Sequence, residues 1–93
     1  MSEKSCCPQE RIDEYARKLK VCGHPLRLKI LCLIEKQDSC VSDLWQCLEQ
    51  PQPVISQHLA VLKDKGIVDS TTDGNRRIYH IADEFIQGVL HQF

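Results

Sequence analysis

Two β-prone runs, Ile67-Val68-Asp69-Ser70-Thr71-Thr72 and Arg76-Arg77-Ile78-Tyr79-His80-Ile81, flank the triplet Asp73-Gly74-Asn75. An Asp-Gly step between two such runs reverses the chain tightly, because glycine takes a positive φ without steric cost. The stretch is predicted to be a β-hairpin. On both sides of it the apolar residues recur at helical spacing, so any fold for this chain has to seat one hairpin among helices.

Four helices precede the hairpin. From Gln9, the residues Ile12, Tyr15, Ala16 and Leu19 fall at i, i+3, i+4 and i+7. Pro8 suits a first turn, and Gly23 can end the helix. His24-Pro25 opens a second helix, with Leu26, Ile30, Leu31, Leu33 and Ile34 toward a core and Arg27 and Lys29 outside. Asp38-Ser39 breaks the pattern, and Val41, Leu44 and Leu48 mark a short third helix. Cys40 stands at its N-cap position, with Asp43 in a slot that favours an acid. After Gln50-Pro51-Gln52-Pro53, a fourth helix carries Val54, Leu59, Val61 and Leu62, with Gly66 as the residue beyond its C-cap. Beyond the hairpin, Asp83-Glu84 opens a last helix whose stripe is Phe85, Ile86, Val89, Leu90 and Phe93. Two short helices across a Pro-rich turn, followed by a hairpin, describe a mainly α winged helix-turn-helix.

The chain has 93 residues, 42% apolar and 27% charged, which is one domain's worth. A domain this small buries only about 60–65% of its unfolded surface, so dimerisation would add burial that a single copy lacks. Two segments are expected: an N-terminal arm over residues 1–8, polar, aperiodic and mobile, and a winged helix-turn-helix domain over residues 9–93. No apolar run approaches the ~18 residues of a membrane span, and no apolar stretch follows the basic residue near the start. The expected setting is therefore the cytoplasm, with no membrane partner. A formal charge of −1 excludes a bulk polycation but not a local basic surface. Residues 17–29 supply one, with Arg17, Lys18, Lys20, Arg27 and Lys29 and no acid among them.

The run His24-Pro25-Leu26-Arg27-Leu28-Lys29-Ile30-Leu31 resembles the second helix of the ArsR/SmtB bacterial repressors. Val54-Ile55-Ser56-Gln57-His58-Leu59-Ala60-Val61-Leu62-Lys63 is similar to their recognition helix, with its Ser-x-His-Leu signature. Gly66-Ile67-Val68 and the wing Arg76-Arg77-Ile78-Tyr79 resemble the family too, so the likeness runs over residues 10–93. It implies a homodimer, joined through the first and last helices, that binds an operator and releases it when an inducer binds.

The residue chemistry agrees with that implication. A helix in a major groove reads base edges with short polar side chains near its N-terminus, and Gln52, Ser56, Gln57 and His58 gather there. Glutamine can bond an adenine edge with both ends of its amide. Arg76 and Arg77 at the hairpin are expected to reach phosphates or a minor groove. The partner is then double-stranded operator DNA. An enzyme is not expected, since no nucleophile and base are legible at a working spacing. A winged helix used only for protein contact is the other class, and salt-dependent operator binding separates it from a DNA reader.

Six cysteines is a high count, and with no secretory signal they read as reduced thiols. No Cys-x-x-Cys occurs, which removes zinc-ribbon and thioredoxin-type motifs. Cys22 and Cys47 each stand three residues past a leucine of an apolar face, and Cys32 lies between apolar neighbours; all three read as packing. Cys6 and Cys7 are adjacent, which strains a disulfide but suits a soft ion. Cys40 at a helix start is expected to be thiolate-like.

Among the inducer sites of the ArsR/SmtB family, a Cys-x-Cys-x-x-Cys run on the third helix is broken here, with Ser42 and Trp45 in place of two cysteines. An Asp/His zinc site on the last helix is matched by Asp83 but has Phe85 where a histidine is wanted. A persulfide-sensing pair finds Cys32 on the second helix but no cysteine on the last. The type joining arm cysteines to the start of the third helix is matched by Cys6, Cys7 and Cys40. The resemblance thus implies As(III) or Sb(III) as inducer and no constitutive cofactor. A Cd(II) or Pb(II) sensor, with Cys47 as a fourth sulfur, and a thiol-redox or persulfide-responsive repressor are the alternatives.

Overall fold

The computed structural model describes residues 9–37 and 41–93. The order is α1 (Gln9–Cys22), α2 (Pro25–Gln37), α3 (Val41–Leu48), α4 (Gln52–Asp64), β1 (Val68–Asp73), β2 (Arg76–Ile81) and α5 (Glu84–Leu90). This is the predicted order of helices and hairpin. Residues 1–8 and 38–40, and with them the expected arm and the N-cap position of Cys40, lie outside the described residues.

The core is built by α2 and α4, closed by one residue or two from each other element. Ile30, Leu31 and Ile34 from α2 and Ile55, Leu59 and Leu62 from α4 are wholly buried. Cys22, Leu44, Ile67, Val68, Tyr79, Ile86 and Leu90 complete the cluster. Each such aliphatic side chain contributes roughly 1.5–3 kcal/mol by leaving water. The spacing 55, 59, 62 is one helical face. Ile55, which the apolar pattern passes over in favour of its neighbour Val54, is therefore a core residue, and Val54 and Val61 are only half-buried.

Helix ends follow from local chemistry. In α4, Pro51 and Pro53 stand at the N-cap and second positions, where the missing N–H costs nothing. Past its C-terminus Gly66 adopts φ 76°. That lets Gly66 N donate to Lys63 O at 3.0 Å and Ile67 N to Leu62 O at 2.9 Å. This crossed pair satisfies two orphan carbonyls and drops Ile67 into the core. Asp83 caps α5, its Oδ1 accepting from Ile86 N at 3.2 Å.

The hairpin pairs Val68 with Ile81 through to Asp73 with Arg76. Its two central residues are therefore Gly74-Asn75, not the Asp73-Gly74 step expected. Positive φ falls on Gly74 (67°) and not on Asn75, so a single left-handed residue suffices for the reversal. Two strands are marginal by themselves. Here Val68 and Tyr79 pin one face to the core, and Ala82 N extends the ladder to Ile67 O at 2.9 Å.

α1 and α5 lie together. The Tyr15 and Phe85 rings stack at 4.2 Å between centroids, 13° from parallel. Lys18 reaches Asp83 at 2.6 Å and Glu14 at 3.3 Å. Burial works against the Asp83 carboxylate, but the Lys18 ammonium and the N–H groups of Ile86 and Phe85 outweigh it and hold its pKa below the ordinary value. Asp83 is thus committed to capping and to α1. On the outer side of α1, Ile12 and Leu19 remain 49% and 45% exposed.

Candidate nucleic-acid interface

Burying Ile55, Leu59 and Leu62 turns the opposite side of α4 outward. Gln52, Ser56 and Gln57 are exposed there, together with Ala60 and Lys63. Three of the four predicted base-reading residues thus share an open face in the first half of the helix, where a recognition helix makes its base contacts. The far end is steadied by Lys63 Nζ, which donates to Ser70 Oγ on β1 at 3.1 Å.

His58 is placed differently. It is half-buried, and its Nδ1 accepts a hydrogen bond from Arg27 Nε at 3.1 Å. The His24 ring lies against it, 4.9 Å between centroids and tilted by 49°. Desolvation, then the Arg27 charge, then His24 all push the His58 pKa below its ordinary value. Arg27 is therefore not the outward residue that its position in the sequence predicts. Its Nη1 also donates to Val21 O at 3.2 Å, in the last turn of α1. His24 Nδ1 accepts from Leu26 N at 3.1 Å, an imidazole cap on α2. No periodicity signals this cluster, because 31 residues separate Arg27 from His58.

Arg76 and Arg77 are both exposed in the first two positions of β2. Strand alternation sends them to opposite faces: Arg77 shares the side of buried Tyr79, Arg76 that of His80. The basic stretch 17–29 is divided as well. Arg17, Lys18 and Lys20 line a shallow hollow of about 360 Å³ together with Glu14, Val21 and Lys65. Lys29 instead borders an apolar groove.

That groove, about 510 Å³, is lined by Pro25, Leu28, Lys29, Cys32, Leu33, Cys47, Leu48 and Phe93. Cys47 is exposed there rather than packed, whereas Leu44 and Leu48 of α3 are set against the core. Cys22 is buried as expected, and burial, reinforced by Asp83 and opposed by Arg27, pushes its pKa up to about 11. Burial also raises that of Cys32, with Lys36 opposing and Glu35 reinforcing. Among the described residues no three His, Cys, Asp or Glu side chains gather as a metal site. Cys6, Cys7 and Cys40 lie outside the described residues. Among the described residues, no helix is long and apolar enough to cross a membrane.

A helix with a polar outer face, reached through a tight turn from a shorter helix and followed by a two-stranded wing, defines a winged helix-turn-helix fold. Residues 24–70 match the model of a family described as bacterial regulatory protein, arsR family. The HTH-type transcriptional repressor SmtB of Mycobacterium tuberculosis is 31% identical over 83 residues, covering 89% of this chain and 62% of that protein. The arsenical resistance operon repressor of Staphylococcus xylosus is 34% identical over 76 residues, covering 82% and 73%. Among solved structures, HlyU from Vibrio cholerae superposes with a TM-score of 0.86 at 25% identity, covering 91% and 92%. A homodimeric winged helix-turn-helix DNA-binding domain from Mycobacterium bovis, a possible ArsR-family regulator, superposes at 0.79 with 26% identity, covering 99% and 85%. The chain belongs to the ArsR family. It spans about 62% of the length of its mycobacterial SmtB relative, and its relatives are transcriptional regulators rather than enzymes.

Proposed function

We propose that this chain is a homodimeric repressor that grips operator DNA through α4 and the hairpin and releases it when a trivalent arsenic or antimony species binds Cys6, Cys7 and Cys40. The observation that carries the DNA-reading half is the outward face of Gln52, Ser56 and Gln57, opposite three wholly buried residues of the same helix. Domain organisation follows the same reading, with residues 1–8 as the sensing arm and residues 9–93 as the DNA-binding and dimerisation unit.

The state of the other cysteines supports the inducer reading. Soft ions are held by thiolates. Burial pushes the thiols of Cys22 and Cys32 above their ordinary pKa, which makes them poorer ligands. Cys40 directly precedes Val41, the first residue of α3, and α3 packs on α4. A ligand tying residues 6 and 7 to that point would act on the neighbour of the recognition helix. It shifts the DNA equilibrium only by its differential affinity for the bound and free forms. The S. xylosus relative, an arsenical resistance operon repressor, is in keeping with this class of inducer.

The test uses a duplex enriched from a randomised pool on the parent protein, with release followed by fluorescence anisotropy in reducing buffer. Arsenite is expected to free the parent, and the Cys6→Ser/Cys7→Ser and Cys40→Ser variants are expected to stay bound at that concentration. Release of the double variant at the parent's arsenite concentration rules out the arm. Loss of response in Cys32→Ser alone, with release by polysulfide but not arsenite, assigns the protein to the redox class. Release by Cd(II) or Pb(II) that depends on Cys47 assigns it to the four-sulfur class.

A further inference from the structure

Arg27 joins three helices through two hydrogen bonds. Nη1 holds the carbonyl of Val21 at the end of α1, and Nε holds Nδ1 of His58 in the middle of α4. An Nδ1 that accepts a hydrogen bond belongs to a neutral imidazole whose proton sits on Nε2. His24, itself fixed by the Leu26 N–H, covers the same ring. From α2 and the turn before it, Arg27 and His24 are the charged or titratable groups that face His58; among the described residues, none on α3, β1 or α4 itself adds to them.

We infer that the Arg27–His58 bond is a latch that sets the pose of α4, so that protonating His58 frees the recognition helix from α2 and lowers the selectivity of DNA binding. A proton on Nδ1 turns the acceptor into a donor. It then points at the Nε–H of a permanent cation, so the bond is lost and two like charges face each other 3.1 Å apart. Site-selective reading needs side chains held at fixed positions against base edges, whereas phosphate attraction does not. His58 and Arg27 are thus positioning residues for Ser56 and Gln57, which flank His58 in sequence and face outward.

The sign of the pH effect separates this role from direct contact. If His58 only met phosphates, added positive charge would tighten binding to every duplex as pH falls. Release of the latch instead lowers the preference for the right duplex over a scrambled one as pH falls. The change falls below about pH 6.5, the ordinary histidine value, because burial, and after it the Arg27 charge and His24, push the His58 value down.

The inference rests on the DNA-reading role of α4, and the test has one arm that does not. In the free protein, backbone amide and His58 ring resonances are followed by NMR from pH 8 to 5. Amides of α4 are expected to titrate with the His58 ring, and to stay still in His58→Asn. If they do not move with it, the latch is wrong whatever the DNA does. If they move while no duplex is enriched from a randomised pool, the latch stands and the DNA reading fails.

In the second arm, affinity for an enriched duplex is compared with a scrambled duplex at constant ionic strength. The parent's ratio is expected to fall about tenfold between pH 8 and 5.5. His58→Asn, which keeps an acceptor near the Nδ1 position but cannot titrate, should hold its ratio across that range and enrich the same consensus from the pool. His58→Leu and Arg27→Ala should both have low ratios at every pH, and together be no worse than either alone. A ratio in the parent that does not fall with pH, or a changed consensus for His58→Asn, overturns the inference in favour of base contact by the imidazole.

Discussion

Glu49 closes α3 with a φ of 56°, the left-handed region that costs a side-chain-bearing residue roughly 1–2 kcal/mol. The strain has a visible return. It lets Gln50 N reach Trp45 O at 3.1 Å and Glu49 N reach Gln46 O at 3.3 Å, closing the turn that leads into α4. Glycine takes that backbone freely, but it also gives the unfolded chain more entropy to lose. The balance predicts that Glu49→Gly stabilises the fold by about 0.5–1 kcal/mol. Urea unfolding at neutral pH checks it, with a raised midpoint and an unchanged slope expected. At Gly66 the same geometry was legible, because glycine marks the position. At Glu49 it was not, since the residue type argues against what the turn imposes. Pairings such as Lys18 with Asp83 and Arg27 with His58 were illegible for another reason: the sequence records no distance between residues far apart along it.

At the scale of elements, period-3.6 stripes and one Gly-centred reversal sufficed to lay out five helices and a hairpin in the right order. They failed in detail where neighbouring apolar residues compete for the inward position. The stripe read from the sequence takes Val54 and passes over Ile55, and only the packing of α4 into the core selects Ile55. They failed again at Cys47, whose place near the end of a short helix takes it out of the core and into a groove. The polar face of α4 was legible because its partner face was. Gln57 projects from it exposed, so Gln57→Ala is expected to leave stability within about 0.5 kcal/mol. The same change should cost about 1–3 kcal/mol at an enriched duplex, and far less at a scrambled one. The wing should behave in the opposite way. Arg77→Ala is expected to weaken both duplexes alike and to reduce the slope of log affinity against log salt by about 1.

At the scale of the molecule, the unexplained feature is the outer side of α1. Ile12 and Leu19 stand seven residues apart, two turns along one face with Ala16 between them, and all three are exposed. Beside this line the helix is tied to α5, by the Tyr15–Phe85 stack and the Lys18–Asp83 pair. A second copy of the same surface would cover such a line symmetrically, and a two-fold partner is what a DNA reader needs to engage two half-sites about 34–36 Å apart. Substituting Leu19→Asp puts a charge on a residue that is already 45% exposed, so the fold of each copy should survive. Paired across a two-fold interface, the same change buries two like charges without partners. Sedimentation equilibrium should therefore show a dimer for the parent and a monomer of unchanged helix content for Leu19→Asp. Binding to a full duplex should fall toward the affinity of a single half-site. If Leu19→Asp remains dimeric with parental affinity, the interface lies elsewhere on the chain. The outer face of α1 would then be solvent surface.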